Sequence, residues 1–411
     1  MRFYYGWGIV AIAVLVLTLV VGASIHAFGL FVLPVSEAFG LSRAGMNTGI
    51  ILLNFGMAVA APLLGGILDR RSARTVTAVC ALLFGGSLIL LGISHDIRLS
   101  AFVLAVPLAI AVVGCGTLTS TALVARWFTA QRGRAMAIAA IGISLGPLVV
   151  VPLIGVLIPA LGWRESLMAL GAAVGVLVLL MVPLIRDRPG DGDVEGGSRD
   201  LPAGQPAPLP PAAGATLGIG ELLRLPQFWT ISLSAALAFG IQQTIVVSLV
   251  PYAQGHGLTI TEAASLVSVF GGMAILGKLM LAWLGDRFDR PTLLGLLFAL
   301  LGAASASLMA GQGYAVILAC SALLGLAAGA TTPGFLALVA DRCGAAAFGT
   351  ASGAASFIST LISAACIRFG GEVYDRTGSY RAMFLTFIVL ALISAALMFA
   401  TGRFGREKAM A

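Results

Sequence analysis

Apolar residues along this chain gather into runs of about twenty or more, each bounded by charges or turn residues, the length of a helix that crosses the hydrocarbon core of a bilayer. Twelve such runs fall at 6–34, 44–68, 75–94, 99–125, 135–160, 166–185, 227–252, 262–284, 292–311, 314–340, 346–370 and 382–402. Several exceed a single perpendicular crossing, which predicts tilted helices with bends at Gly and Pro. Residues 187–224 differ in kind: RDRPGDGDVEGGSRDLPAGQPAPLPPAAGA is rich in Pro and Gly, charged and almost free of large apolar side chains. Such a segment is expected to be a flexible linker. The pattern therefore predicts an all-α membrane protein of twelve transmembrane helices. Residues 1–186 would form an N-terminal six-helix bundle, 187–224 a cytoplasmic linker and 225–411 a second six-helix bundle.

Composition narrows the class further. Hydrophobic residues make up 59% and charged residues 10%, against roughly 45–50% and 25% in soluble domains. A soluble fold could not hide that much apolar surface, so lipid is the expected solvent. The first apolar run continues through Leu30 without a small-residue cleavage context, as expected of a first span rather than a cleaved leader. Five cysteines, Cys80, Cys115, Cys320, Cys343 and Cys366, are far apart in apolar contexts and offer neither metal-ligand spacing nor a disulfide framework. No metal or cofactor is expected. Neither a phosphate loop, a HExxH helix nor a catalytic triad is evident, so the reading is a transporter and not an enzyme.

The net charge of +7 raises nucleic acid as a partner, but the basic residues form no patch. With the N-terminus placed in the cytoplasm, seventeen Lys and Arg fall on that side and six outside. That positive-inside bias predicts a multi-pass protein of the cell inner (plasma) membrane with both termini cytoplasmic, and no nucleic-acid partner. One cation, Lys278, belongs to neither side.

The two halves overlay in a single constant register. Pro34 falls on Pro251, Gly40 on Gly257, Asp69-Arg70 on Asp286-Arg287, and Arg164 on Arg381. Duplicated six-helix halves around a mid-membrane substrate site are a recurring transporter plan.

Gly65-Gly66-Ile67-Leu68-Asp69-Arg70-Arg71-Ser72-Ala73-Arg74 resembles the G-x-x-x-D-R-x-G-R loop of the major facilitator superfamily, with Ser72 where the loop glycine is usual. Its repeat around Asp286 and Arg287 keeps the Asp-Arg but has Ala282 for the leading glycine. The resemblance implies a conformational latch formed by Gly65, Asp69, Arg70, Arg74, Asp286 and Arg287. A small residue there would let helices close up, and an acid at a helix end would pair with basic loop residues.

Further motifs are similar to the monocarboxylate porter branch, which includes the oxalate/formate antiporters. They are Tyr5-Gly6-Trp7, Gly29-Leu30-Phe31 with Pro34, Arg126-Trp127-Phe128 before Arg132-Gly133-Arg134-Ala135, Gly162-Trp163-Arg164 and Tyr374-Asp375-Arg376-Thr377-Gly378-Ser379-Tyr380. The implied architecture is the major facilitator fold, two pseudo-symmetric bundles of six.

Lys278 lies eight residues before Asp286, about 12 Å inside the helix end. A lysine at the bilayer centre costs about 2.5–3.5 kcal/mol, so it should face a protein interior or a watery cavity. Its stem could snorkel part of the way out, but not the whole distance. In the resembling family the cation at this place, usually arginine, binds the substrate carboxylate. Lysine is a point charge where arginine is a fork, which suits looser geometry or a different anion. Ala274 stands where some proton-coupled members carry an aspartate. Ser352, Ser356, Ser359 and Thr360 occupy the span in which the antiporters carry a second cation. A monoanion is therefore favoured over a dianion.

All seventeen acids can be placed in loops or near helix ends, which disfavours a cationic substrate. His26 is the remaining ionisable residue at depth, able to carry a proton or to donate to an anion. The repeat register places it on Gln243. Gln242 and Asn54 are further candidates, with an alternative role in holding helices together, and Thr119 is another, its alternative being a bond from its hydroxyl to a backbone carbonyl. The function expected is secondary active transport of a small organic anion, with a monocarboxylate favoured. Lys278 would hold it between the two bundles under alternating access, with a coupled proton as an option. The competing expectation is a major facilitator exporter of drugs or other metabolites.

Overall fold

Every apolar run forms a helix in the computed structural model, which describes residues 4–129, 131–189, 219–285, 288–310 and 313–410. Among those residues twelve helices are long and apolar enough to cross a membrane. They are α1 (Gly6–Phe39), α2 (Arg43–Leu68), α3 (Ala73–Ile93), α4 (Ile97–Trp127), α5 (Arg132–Leu161), α6 (Trp163–Leu184), α7 (Pro226–Gly255), α8 (Ile260–Leu284), α9 (Arg290–Met309), α10 (Tyr314–Arg342), α11 (Thr350–Thr377) and α12 (Arg381–Gly402). Most of the expected linker, residues 190–218, lies outside the described residues.

Each helix runs past its apolar run at one end or both. Among the described residues four glycines have positive φ, Gly40, Gly162, Gly257 and Gly378, a backbone region where a Cβ is costly. Gly40 and Gly257, matched in the repeat register, follow α1 and α7. Gly162 precedes α6 and Gly378 follows α11, one position out of the same register. One connection departs from expectation: α10 and α11 share a single run of helix, Tyr314–Thr377. The connecting residues 343–349 hold three alanines between Gly344 and Gly349 and no proline, so no missing amide breaks the helix there.

The chain divides into two compact units. One comprises Met1–Leu41, Gly45–Gln205 and Ile260–Ser268; the other comprises Ser42–Ala44, Pro206–Thr259 and Val269–Ala411. Lipid removes the hydrophobic drive for helices to associate, so close packing through small residues must supply it. The first unit uses glycines for this. A Cβ at Gly142 would lie 2.4 Å from the Val14 carbonyl oxygen, one at Gly22 would meet Gly146, and these pin α1 to α5. Gly85 and Gly171 join α3 to α6, and Gly56 sets α2 against the Ala105 carbonyl of α4. The second unit repeats the scheme. Gly240 meets Cys366 between α7 and α11, Gly295 meets Phe399 between α9 and α12, and Gly277 meets Leu326 between α8 and α10. Three helix pairs in one unit thus recur as three pairs in the other.

Candidate functional site

Lys278 is placed by a close contact between two helices of its unit. Along α8, Phe270, Ala274 and Gly277 recur at i, i+4 and i+7 and so share one face. That face meets α10 at backbone distance. Cβ atoms added at Gly325 and Gly329 would lie 2.2 and 2.0 Å from the carbonyl oxygens of Phe270 and Ala274, and one at Gly277 would lie 2.1 Å from that of Leu326. Lys278 projects from the flank of this contact and is half-buried. Residues 263–277 before it and 279–284 after it carry no charge. The fixed backbone explains Ala274 as well. A carboxylate there would have to fit into the contact with Gly329, where Ala274 is already only 5% exposed.

His26 ends a π turn, Gly22–His26, in the middle of α1. Its signature is the Ala27 amide donating to the Gly22 carbonyl at 3.0 Å, one residue further back than in an α-helix. The turn begins where Gly22 is pressed against Gly146 of α5, and Thr18 one turn earlier donates to the Gly142 carbonyl at 3.2 Å. His26 and its neighbour Ile25 are half-buried in an otherwise largely buried stretch. The corresponding helix of the second unit, α7, is buried from Thr244 to Ala253, with Gln243 half-buried beside it. His26 and Gln243 are therefore both partly accessible polar positions on the most enclosed helix of their units. Gln242 is different: it is buried, and its amide donates to the Thr331 hydroxyl of α10 at 2.9 Å.

α4 is bent twice. Pro107 has no amide to continue the ladder, and a π turn, Leu104–Leu108, forms around it. At Gly116 the backbone leaves helical geometry (φ −84°, ψ −122°). The Thr119 hydroxyl then donates to the buried Gly114 carbonyl at 2.5 Å, across the break. That bond gives Thr119 a structural task. Asn54 of α2 is half-buried. The structure thus brings Gln242 to Thr331 and Thr119 to Gly114, and leaves Lys278, His26, Gln243 and Asn54 partly accessible.

Of the expected latch, Asp286 and Arg287 lie outside the described residues, as does the Asp69 side chain. Arg70 and Arg74 are exposed, and a Cβ at Gly65 would meet open space. Other residues take up the polar work at this end. Asp187 caps α3, accepting from the Ala73 amide at 2.6 Å and from the Ser72 hydroxyl. Ser72, the departure from the loop pattern, thereby gains a partner glycine could not offer. Arg126 donates to the Leu68 carbonyl at 2.9 Å and stands 3.8 Å from Asp187. In the second unit Arg290 donates to the Gly285 carbonyl at 3.3 Å and pairs with Asp341 at 2.6 Å. Leu68 and Gly285 match in the repeat register, so equivalent carbonyls each receive an arginine that is itself held by an aspartate. Tyr5 and Trp127, both in the branch motifs, donate to the Leu184 and Arg186 carbonyls at 2.7 and 2.8 Å.

Comparison with known proteins follows the same lines. The family model described as the Major Facilitator Superfamily matches residues 12–367. The oxalate:formate antiporter of Oxalobacter formigenes is 27% identical over a stretch covering 65% of this chain and 60% of that protein. Monocarboxylate transporter 12 of Rattus norvegicus is 27% identical over 64% of this chain and 58% of its own length. The chain therefore spans about three fifths of these two relatives. Among solved structures, a bacterial homologue of the human lysosomal transporter Spinster matches with a TM-score of 0.74 at 17% identity, covering 98% of both chains. At that identity the likeness establishes the fold.

Proposed function

Since the chain belongs to the major facilitator superfamily and is a multi-pass membrane transporter, we propose that its cargo is a small organic anion, a monocarboxylate, held by Lys278. The observation that carries this reading is Lys278 itself, half-buried in an uncharged helix and seated on a backbone fixed by Gly277, Gly325 and Gly329. A cation kept at such depth has a large desolvation cost, which a carboxylate cargo offsets. Relatives named for oxalate, formate and monocarboxylates support the substrate class. His26 and Gln243 complete the site as hydrogen-bonding groups, and His26 is the candidate carrier of a coupled proton. Transport runs by alternating access. The Asp69 and Asp286 loops act as the latch, on the cytoplasmic side that the seventeen-to-six distribution of cations assigns.

The test is counterflow in proteoliposomes with a panel of labelled monocarboxylates. Lys278→Ala is expected to abolish exchange, because no other charge replaces the lost one. Lys278→Arg is expected to retain part of it, since the charge remains but the geometry becomes that of a fork. Undiminished exchange by the alanine variant overturns the assignment. A His26→Gln variant that keeps the wild-type pH profile removes His26 from the proton role. Failure of every monocarboxylate alongside efflux of other metabolites returns the exporter reading.

A further inference from the structure

The first unit contains a cavity of about 280 Å³ that the transport reading does not use. It lies among α1, α2, α3, α4 and α6, with walls that include Phe28, Phe31, Phe39, Leu52, Leu104 and Trp163. Along α4 it extends from Ile97 to Leu108, about 16 Å of helix. Two of its polar edges, Ser24 and Ser100, are committed elsewhere. The Ser24 hydroxyl donates to the Val20 carbonyl at 2.6 Å, and that of Ser100 bonds to Ser94 and the Asp96 carbonyl at 3.1 and 3.0 Å. Water needs two to four polar partners to occupy a cavity, and an apolar cavity of about 150 Å³ stays dry and takes up benzene. The present cavity is larger, partly open, and belongs to a unit built to sit in lipid.

Its aromatic end carries a charge. The Arg164 guanidinium is stacked 4.3 Å from the centroid of Trp163 and 5.7 Å from that of Phe39, both cavity walls. It is held there by two bonds, to the Gly92 and Ser94 carbonyls at 2.9 and 2.6 Å, both made through Nη1. Nε and Nη2 take no part in these two bonds. An apolar slot with one fixed cation stacked on two of its aromatic walls suits a single chain with a single anionic head. We propose that this cavity is a binding site for a long-chain fatty acid, its tail in the slot and its carboxylate on Arg164. A double-chain phospholipid carries a second tail and a bulkier head than one slot and one cation accommodate. Ala23 and Ser24, which line the far end, belong to the π turn that ends in His26, so a bound tail would rest against the helix segment that carries a proposed transport residue.

Trp163 makes the site readable by fluorescence, because bromine on an acyl chain quenches an indole on contact. Full-length protein in non-ionic detergent is titrated with 9,10-dibromostearate, and the quenching absent from Trp163→Phe is attributed to this wall. Saturable quenching at about one fatty acid per chain is expected. The dibrominated stearyl alcohol, which lacks the charge, should bind about tenfold more weakly or worse, the worth of a charge-assisted hydrogen bond. Ala101→Phe, which fills the slot from α4, should abolish the saturable component. The alcohol arm tests the charge without touching Arg164, whose bonds to two carbonyls also support the turn. Quenching that grows with detergent mole fraction without saturating overturns the site, as does quenching unchanged by Ala101→Phe. Equal quenching by the alcohol overturns the role of Arg164, and equal quenching by a brominated phosphatidylcholine overturns the choice of a fatty acid. None of these outcomes depends on whether Lys278 binds a monocarboxylate.

Discussion

Gly329 shows what a single position contributes that its sequence context hides. The chain holds 52 glycines, and nothing in their number tells which ones meet another backbone. Three of them, Gly277, Gly325 and Gly329, seal α8 against α10 at separations no side chain could occupy. Lys278 is legible by contrast, because a charge in an apolar run is conspicuous whatever surrounds it. The gain from structure is that the lysine rides on a backbone that cannot shift. A methyl at Gly329 would sit 2.0 Å from a carbonyl oxygen that has no flexible end to move aside. Gly329→Val is therefore expected to force α8 and α10 apart at a cost of about 1–3 kcal/mol, the usual range for overpacking. The check is a lowered melting temperature of the purified protein in detergent. Gly65→Ala, at a position open to space, serves as the comparison and should melt like wild type. Equal melting of all three proteins would show that the α8–α10 contact is looser than these distances.

Among the elements, α3 owes its start to a residue more than a hundred positions away. By composition alone Asp187 begins a polar linker. Its carboxylate instead takes the Ala73 amide and the Ser72 hydroxyl, leaving α3 with a capped N-terminus. Composition could not show this, because a cap from a distant segment leaves no local spacing to recognise. Two effects compete for the larger share. An N-cap is worth about 0.5–2 kcal/mol, whereas a half-buried, solvent-screened ion pair such as Arg126 and Asp187, 3.8 Å apart, contributes about 0.2–1 kcal/mol. The cap should win. Asp187→Ala is expected to lose both contributions. Asp187→Asn keeps an acceptor for the Ala73 amide and should lose only the smaller one. Thermal melts of the two variants separate the cases, and equal losses would mean that the charge on Asp187 dominates.

For the molecule as a whole, the register that joins Pro34 to Pro251 and Gly40 to Gly257 proves to order the packing as well. The pairs α1–α5, α2–α4 and α3–α6 recur as α7–α11, α8–α10 and α9–α12, each closed by glycine. Fold and duplication are thus legible from span lengths and one constant register. The site is less so, because its chemistry is not duplicated: Ala61 stands in the first half at the place equivalent to Lys278. The halves share a scaffold and differ at the residue proposed to hold the cargo, which has a consequence for dividing the chain. Each half keeps its own three glycine-closed pairs, so two polypeptides, 1–205 and 206–411, should each insert in a membrane when expressed separately. The 206–411 fragment carries Lys278 and Gln243, while 1–205 carries His26, so neither alone holds the full set proposed for the anion. Co-expression is expected to restore counterflow of the monocarboxylate that the intact chain exchanges, at a reduced rate because association has become bimolecular. Counterflow by 206–411 alone would show that Lys278 and its own unit suffice. A co-expressed pair that inserts and remains inactive would show that the covalent connection does more than link two units.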